Sequence, residues 1–344
     1  MEFFQKLLRP NIALLKPYSS ARDEYTGDEG VFLDANENPF NHPYNRYPDP
    51  RQRVLKKKIA GIKGVDAASI FLGNGSDEPI DLMYRAFCEP GVDNVVSIDP
   101  TYGMYQVAAD INNIKVKRVL LTPDFQLDIN ALLKAVDTNT KLMFLCSPNN
   151  PTGNCFPVED IETLLREFKG MVVLDEAYID FAPGKSFLQR LKEFPNLVIL
   201  QTFSKAWGMA GLRLGMAFTS PALVDVLSKI KYPYNLNILT QQTALELLDS
   251  VSEMENWVKL LLDERVKLND QLAQLPFVVK QYPSDSNFLL VKTTDSRKIY
   301  QYLVDQKIIV RDRSSVALCE GCLRITVGSP QENKQLVDAL KKYC

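Results

Sequence analysis

The stretch Met171-Val172-Val173-Leu174-Asp175-Glu176-Ala177-Tyr178 decides the fold. Four consecutive apolar residues suit a strand buried on both faces, as in a parallel sheet covered by crossover helices. An acid follows at once, and an acid ending a buried strand is costly unless it has a partner. Working outward, similar short apolar runs recur at residues 70–72, 95–98, 117–121, 142–146, 197–201 and 214–218. Amphipathic stretches separate them; in 158–168, Ile161, Leu164, Leu165 and Phe168 recur at helical spacing. The alternation predicts an α/β layer structure with a mostly parallel seven-stranded sheet.

Beyond residue 235 the pattern changes. Residues 237–274 lack Pro and Gly and are apolar at helical spacing, which predicts one long or broken helix. Strands are expected at 286–291, 308–311 and 323–327, with helices near 296–305 and 330–342. The expected organisation is an N-terminal arm with part of the small domain (1–45), a large domain (46–240) and a small α+β domain (241–344). The length of 344 residues agrees with about two domains at roughly 150 residues each.

Composition narrows the function. Hydrophobic residues make up 46% and charged residues 24%, which excludes a disordered or low-complexity chain. Lys and Arg number 40 against 42 Asp and Glu, a net charge of −2, so the basic field of a nucleic-acid or anionic-membrane binder is missing. No apolar run approaches the roughly 18 residues of a membrane span. Lys6 and Arg9 interrupt any signal-peptide core, so a soluble, cytoplasmic protein is expected. The single histidine, His42, excludes a multi-histidine metal site and leaves proton transfer to Lys, Asp, Glu or Tyr. No metal is expected. Six cysteines are scattered along the chain; Cys319-Glu320-Gly321-Cys322 reads as a turn feeding the strand at 323–327.

In a buried α/β sheet, ligands bind beyond the carboxyl ends of the strands. The first run leads into Gly73-Asn74-Gly75-Ser76-Asp77-Glu78 and a helical stretch, where free N–H groups attract phosphate. Ser76 there reads equally as an ordinary helix cap. After 95–98 comes Asp99-Pro100-Thr101-Tyr102-Gly103, whose tyrosine offers a flat face. After 142–146 comes Ser147-Pro148-Asn149-Asn150-Pro151-Thr152-Gly153, a constrained turn able to aim an asparagine at a ligand. After 197–201 come Ser204-Lys205, then Gly211-Leu212-Arg213. A lysine among apolar and small residues is biased toward its neutral, nucleophilic form.

A strand-end acid, a lysine beyond another strand end, and hydroxyl, glycine and arginine groups for an anion match the needs of pyridoxal 5'-phosphate. Its aldehyde takes a lysine, its ring nitrogen a carboxylate, and its phosphate N–H groups, hydroxyls and a fixed cation. The motifs also resemble fold-type I pyridoxal-phosphate-dependent enzymes. Over residues 17–328, the histidinol-phosphate aminotransferase family is the finer resemblance, through Leu33-Asp-Ala-Asn-Glu-Asn-Pro39, Asn45-Arg-Tyr-Pro48, Pro100-Thr-Tyr-Gly-Met-Tyr105 and Leu323-Arg-Ile-Thr-Val-Gly328.

That resemblance implies Lys205 as the Schiff-base lysine and proton carrier, with Asp175 on the ring nitrogen. Asn150 and Tyr178 would meet the ring hydroxyl and Tyr102 would stack on the ring. The backbone groups of Ser76 and Asp77, with Ser204 and Arg213, would hold the phosphate. Tyr47 would reach that phosphate from the other subunit of a homodimer with shared active sites. Arg324 would take the substrate carboxylate or phosphate, aided by Arg311, Tyr18 and Asn36, with Tyr18 inside the pattern Pro17-Tyr-Ser-Ser-Ala-Arg22. The implied reaction moves an amino group between histidinol phosphate and 2-oxoglutarate, in histidine biosynthesis. Alternatives on the same scaffold are an aromatic or broad-specificity aminotransferase and a threonine-phosphate decarboxylase. A cofactor-binding module without turnover, and a dinucleotide dehydrogenase with an incomplete glycine fingerprint, fit less well.

Overall fold

The computed structural model describes residues 3–18 and 30–343. All seven apolar runs form one sheet from β1 (Ile70–Asn74), β2 (Asn94–Asp99), β3 (Lys115–Leu120), β4 (Thr140–Cys146), β5 (Met171–Asp175), β6 (Leu197–Thr202) and β7 (Leu214–Phe218). Their order is β1-β7-β6-β5-β4-β2-β3. Strands β2 to β6 pair in parallel, while β7 is antiparallel to both β6 and β1. The reversal has a local cause, because the link from Thr202 to Leu214 is too short for a helical crossover. Two successive antiparallel pairings leave β1 running in the same direction as β6. The carboxyl ends of β1, β2, β4, β5 and β6 therefore share one edge.

The pleat divides β5 between two cores. Val172 and Leu174 join Val96, Ile98, Met143 and Ile199 on one face. Met171 and Val173 join Val95, Phe144, Val198 and Leu200 on the other. All five residues of β5 are buried, and each such aliphatic side chain contributes about 1.5–3 kcal/mol over an exposed one.

The chain after residue 237 departs from one continuous helix. Asn237 caps the helix Ile238–Leu247 by accepting from the Thr240 N–H, and a second helix, Val251–Ala273, follows. A four-stranded antiparallel sheet comprises β8 (Val278–Gln281), β9 (Phe288–Thr293), β10 (Arg311–Asp312) and β11 (Cys322–Thr326), in the order β10-β11-β9-β8. Its outer face packs Leu289, Val291 and Ile325 against Leu268, Leu272, Ile299 and Leu336 from three helices. On its inner face, Phe288 and Leu290 belong to the same core as Tyr178 and Leu174. The expected strand at 308–311 is reduced to β10, because only Arg311 and Asp312 enter the ladder.

The N-terminal segment is partly docked. Phe4 is buried beside Ile80 and Met83, and the Arg9 N–H donates to the carbonyl of Ala86 at 3.0 Å. Cys319 and Cys322 are buried and unbridged; the Cys322 N–H donates to the Cys319 carbonyl at 2.9 Å, closing a turn into β11. No described helix is long and apolar enough to cross a membrane.

Candidate active site

The shared strand edge opens into a cleft, and its floor is the last residue of β5. Asp175 is only 2% exposed. Its Oδ2 accepts from the Tyr105 hydroxyl at 2.7 Å and its Oδ1 from the Ala177 N–H at 3.0 Å. Burial raises its pKa to about 6, and those two hydrogen bonds oppose the rise. Neither hydrogen-bond donor is a cation. The neighbouring Glu176 points elsewhere and accepts from the Ser186 hydroxyl (2.6 Å), the Phe187 N–H (2.8 Å) and the Gln201 amide (2.9 Å). One acid of the pair therefore faces the cleft, and the other ties β5 to β6 and the following loop.

Lys205 comes from the loop between β6 and β7. Burial, then the positive charge of Arg324, lowers its pKa, while Asp175 opposes that shift. Its Nζ lies 5.5 Å from the centre of the Tyr178 ring. The tyrosine hydroxyl accepts from the Asn150 side-chain amide at 3.3 Å. The adjacent Asn149 is fully buried and donates to the Pro100 carbonyl and Thr152 hydroxyl at 2.9 Å each. It therefore fastens the loops after β2 and β4 together, which leaves Asn150 to face the cleft.

The anion end is built where β1 meets the helix Asp77–Phe87. Ser76 stands at the N-cap but its hydroxyl caps nothing, so the first helical N–H groups stay open to an anion. Gly75 has φ +74°, and a Cβ there would lie 2.6 Å from Arg213 Nη2. The Gly75 N–H donates to the Arg213 carbonyl at 2.6 Å, and Arg213 reaches Asp77 at 3.5 Å. Asp77 also accepts from the Tyr102 hydroxyl at 3.1 Å. Ser204 accepts from the Thr202 hydroxyl at 2.9 Å, and both residues line the cleft. Glu78 turns away to accept from the Asn74 N–H at 2.6 Å and from Asn235. This explains why the glycine fingerprint stops before that position.

Ser76, Asp77, Tyr102, Asn150, Asp175, Tyr178, Ser204, Lys205 and Arg213 thus line one cleft. Arg324 in β11 joins through a hydrogen bond from Nη1 to Asn150 Oδ1, with its guanidinium 5.3 Å above the Phe288 ring. The remaining expected residues do not line this cleft. Tyr47 stacks on Tyr234 of its own chain at 4.4 Å, Tyr18 lies beside Arg51 and Lys229, and Asn36 is exposed with φ +56°. Arg311 is paired with Arg324 across the β10–β11 ladder but is exposed. Ser19 to Arg22 of the N-terminal pattern lie outside the described residues.

Sequence reading missed Tyr105, Thr202 and Cys146. Tyr105 carried a usable signal, since it follows Tyr102 by three positions and so falls on the same side of a helix start.

The residues fit a pyridoxal phosphate group. A buried carboxylate with only neutral hydrogen-bond donors suits a protonated ring nitrogen, and the open helix start beside Arg213 suits a phosphate. The aminotransferase class I and II family matches residues 25–340. The chain is 60% identical to a histidinol-phosphate aminotransferase of Bacteroides thetaiotaomicron, covering 100% of this chain and 99% of that relative. It is 58% identical to one from Bacteroides fragilis, over 100% of both chains. The crystal structure of histidinol-phosphate aminotransferase from Sinorhizobium meliloti in complex with pyridoxal-5'-phosphate shares the fold, with TM-score 0.79 and 24% identity over 87% of this chain and 84% of that one. The chain belongs to the class I and II aminotransferases, and within them to the histidinol-phosphate aminotransferase family.

Proposed function

We propose that this enzyme transfers the amino group of L-histidinol phosphate to 2-oxoglutarate, giving imidazole acetol phosphate and L-glutamate, in the cytoplasmic histidine pathway. The observation that carries the reading is the meeting of Lys205, Asp175 and Arg324 around one cleft, in a chain 60% identical to a histidinol-phosphate aminotransferase throughout its length. Pyridoxal phosphate supplies an aldehyde to exchange amino groups and a ring that withdraws electrons from the substrate carbon.

The chain's side chains do the rest. Asp175 would keep the ring nitrogen protonated. The backbone N–H groups of Ser76 and Asp77, with Ser204 and Arg213, would hold the phosphate; Asn150 and Tyr178 would meet the ring hydroxyl, and Tyr102 would stack on the ring. Lys205 would hold the cofactor's aldehyde end, and its Nζ would carry the proton at the substrate's amine-bearing carbon. Burial favours the neutral amine that this task requires. Arg324 grips the anionic end of each substrate, since its planar fork suits carboxylate and phosphate alike.

We also place the division between large and small domains at residues 240 and 241, with Arg324 reaching the cleft from the small side. The active unit is a homodimer in which Tyr47 serves the partner's cleft, with Tyr18 and Asn36 near the substrate. Its support is that Val31, Leu33, Phe40 and Tyr44, between 60% and 88% exposed, form an apolar stretch around that motif.

A half-reaction tests the chemistry. Histidinol phosphate added to the cofactor-loaded enzyme should convert the aldehyde-form absorption to the amine form, and 2-oxoglutarate should restore it. No conversion, or release of CO2 from threonine phosphate instead, would overturn the reading.

A further inference from the structure

Arg313 stands one residue beyond β10, and its N–H donates to the Cys322 carbonyl at 2.9 Å, carrying the ladder past Asp312. Arg311 sits opposite Arg324, so the two project from the same sheet face, and Arg313 follows Arg311 on that face. Asp312 points the other way, accepting from the N–H of Ser314 at 3.0 Å. Arg313 is half-buried, and its Nε is shielded from solvent without a hydrogen-bond partner. Among the described residues, no carboxylate forms an ion pair with Arg311, Arg313 or Arg324. Burial, then Arg324 and Arg311, pushes the Arg313 guanidinium down to about 10, and the Tyr178 hydroxyl lies within reach of its charge. Two partly buried guanidiniums and a third beside them, with no carboxylate paired to them among the described residues, leave a strong demand for an anion.

We propose that Arg313 is a specificity-determining residue that binds the substrate's phosphate and favours a phosphate dianion over a carboxylate at this end of the cleft. The inference rests on the proposed function for the identity of the substrate. Arg324, held by Asn150, serves either anion. Arg313 adds the second fork that a phosphate, with three terminal oxygens, can use and a carboxylate saturated by Arg324 cannot.

The test measures binding to cofactor-loaded Lys205→Ala protein, in which turnover does not intrude, by calorimetry with histidinol phosphate, histidinol, glutamate and inorganic phosphate. Adding Arg313→Gln should weaken histidinol phosphate and inorganic phosphate about 10- to 100-fold, as loss of a charged hydrogen bond implies. Histidinol and glutamate should change less than about threefold. Arg313→Lys keeps the charge without the fork, and should recover part of the loss. Uniform weakening of all four ligands, or unchanged phosphate affinity in both variants, overturns the proposal. The inorganic phosphate arm separates the two readings. If it responds to Arg313 while the otherwise native enzyme transaminates another phosphorylated amine and not histidinol phosphate, the substrate assignment fails and the phosphate role stands.

Discussion

The Tyr105 hydroxyl donates a 2.7 Å hydrogen bond to Asp175, and both groups are at least 98% buried. Such a bond stabilises the ionised carboxylate, and removing it leaves burial less opposed. Tyr105→Phe should therefore raise the Asp175 pKa further and move the acid limb of the kcat profile to higher pH. The fold should survive, since the ring still stacks on Phe144 at 5.0 Å. A pH profile identical to the native one would show that Tyr105 does not act through Asp175.

Lys205 gives the second prediction. Lys205→Ala should fold, bind cofactor non-covalently and lose nearly all transamination. Borohydride treatment of the native enzyme, followed by peptide mass spectrometry, should place the cofactor on Lys205. A tag on any other lysine, or a variant with normal turnover, would remove it from the role.

The third prediction concerns pH and stability without cofactor. Burial raises Asp175 from an ordinary 3.8 to about 6, and Glu176 from 4.5 to about 7. A carboxyl whose pKa is higher folded than unfolded retains its proton longer in the native state. Its stabilising contribution is full below the unfolded value and is lost as pH rises through the folded one. Stability should fall across roughly pH 4–6 for Asp175 and pH 4.5–7 for Glu176. Asp175→Asn should remove the first component from the cofactor-free protein's melting profile while cutting turnover more than cofactor occupancy. Superimposable melting profiles would count against the buried, unpaired acid described here.

Much of this was legible in the chain. Six of the seven strands of the main sheet showed as apolar runs, because a strand buried on both faces leaves a short continuous signal; the edge strand β3, half-exposed and carrying Lys115, Lys117 and Arg118, was legible through its valines and leucine alone. Short edge elements left weaker signals: β8, with Lys280 and half-exposed valines, left none, and the run at 308–311 overstated β10, which has only Arg311 and Asp312 in register. Most cleft residues were readable because they end or closely follow a buried strand; Arg213, which precedes β7, was the exception. Which of two adjacent acids or asparagines faces the cleft was not, since the choice between Asp175 and Glu176 depends on Ser186 and Gln201, remote in sequence. Arg313 was passed over because a surface strand with three arginines nearby looks solvated until folding turns two of them inward.

Arg324→Ala supplies the fourth prediction. If one guanidinium serves both substrates, the half-reaction with glutamate and that with histidinol phosphate should each slow by about 100-fold or more, as expected for a lost bidentate charge contact. Stopped-flow traces of the two half-reactions would measure this separately. Damage confined to one of them would mean that the substrates use different cations.

The fifth prediction is that the cleft is completed in trans by Tyr47. This ring is 51% exposed, stacks on Tyr234 and does not line its own cleft, although the family resemblance implies a role for its motif at the cofactor phosphate. The neighbouring Leu33, Phe40 and Tyr44 are exposed apolar groups that a second subunit would cover. Hybrid dimers separate cis from trans action. Lys205→Ala and Tyr47→Asp homodimers should each be nearly inactive, the second because a carboxylate faces the phosphate. After subunit exchange, verified with differently tagged chains, the site with intact Lys205 borrows Tyr47 from the Lys205→Ala partner. A mixed dimer should then contain one native site and recover up to half of the native activity. If Tyr47 acted within its own chain, no mixture could assemble a native site, and exchange without recovery would reject the shared cleft.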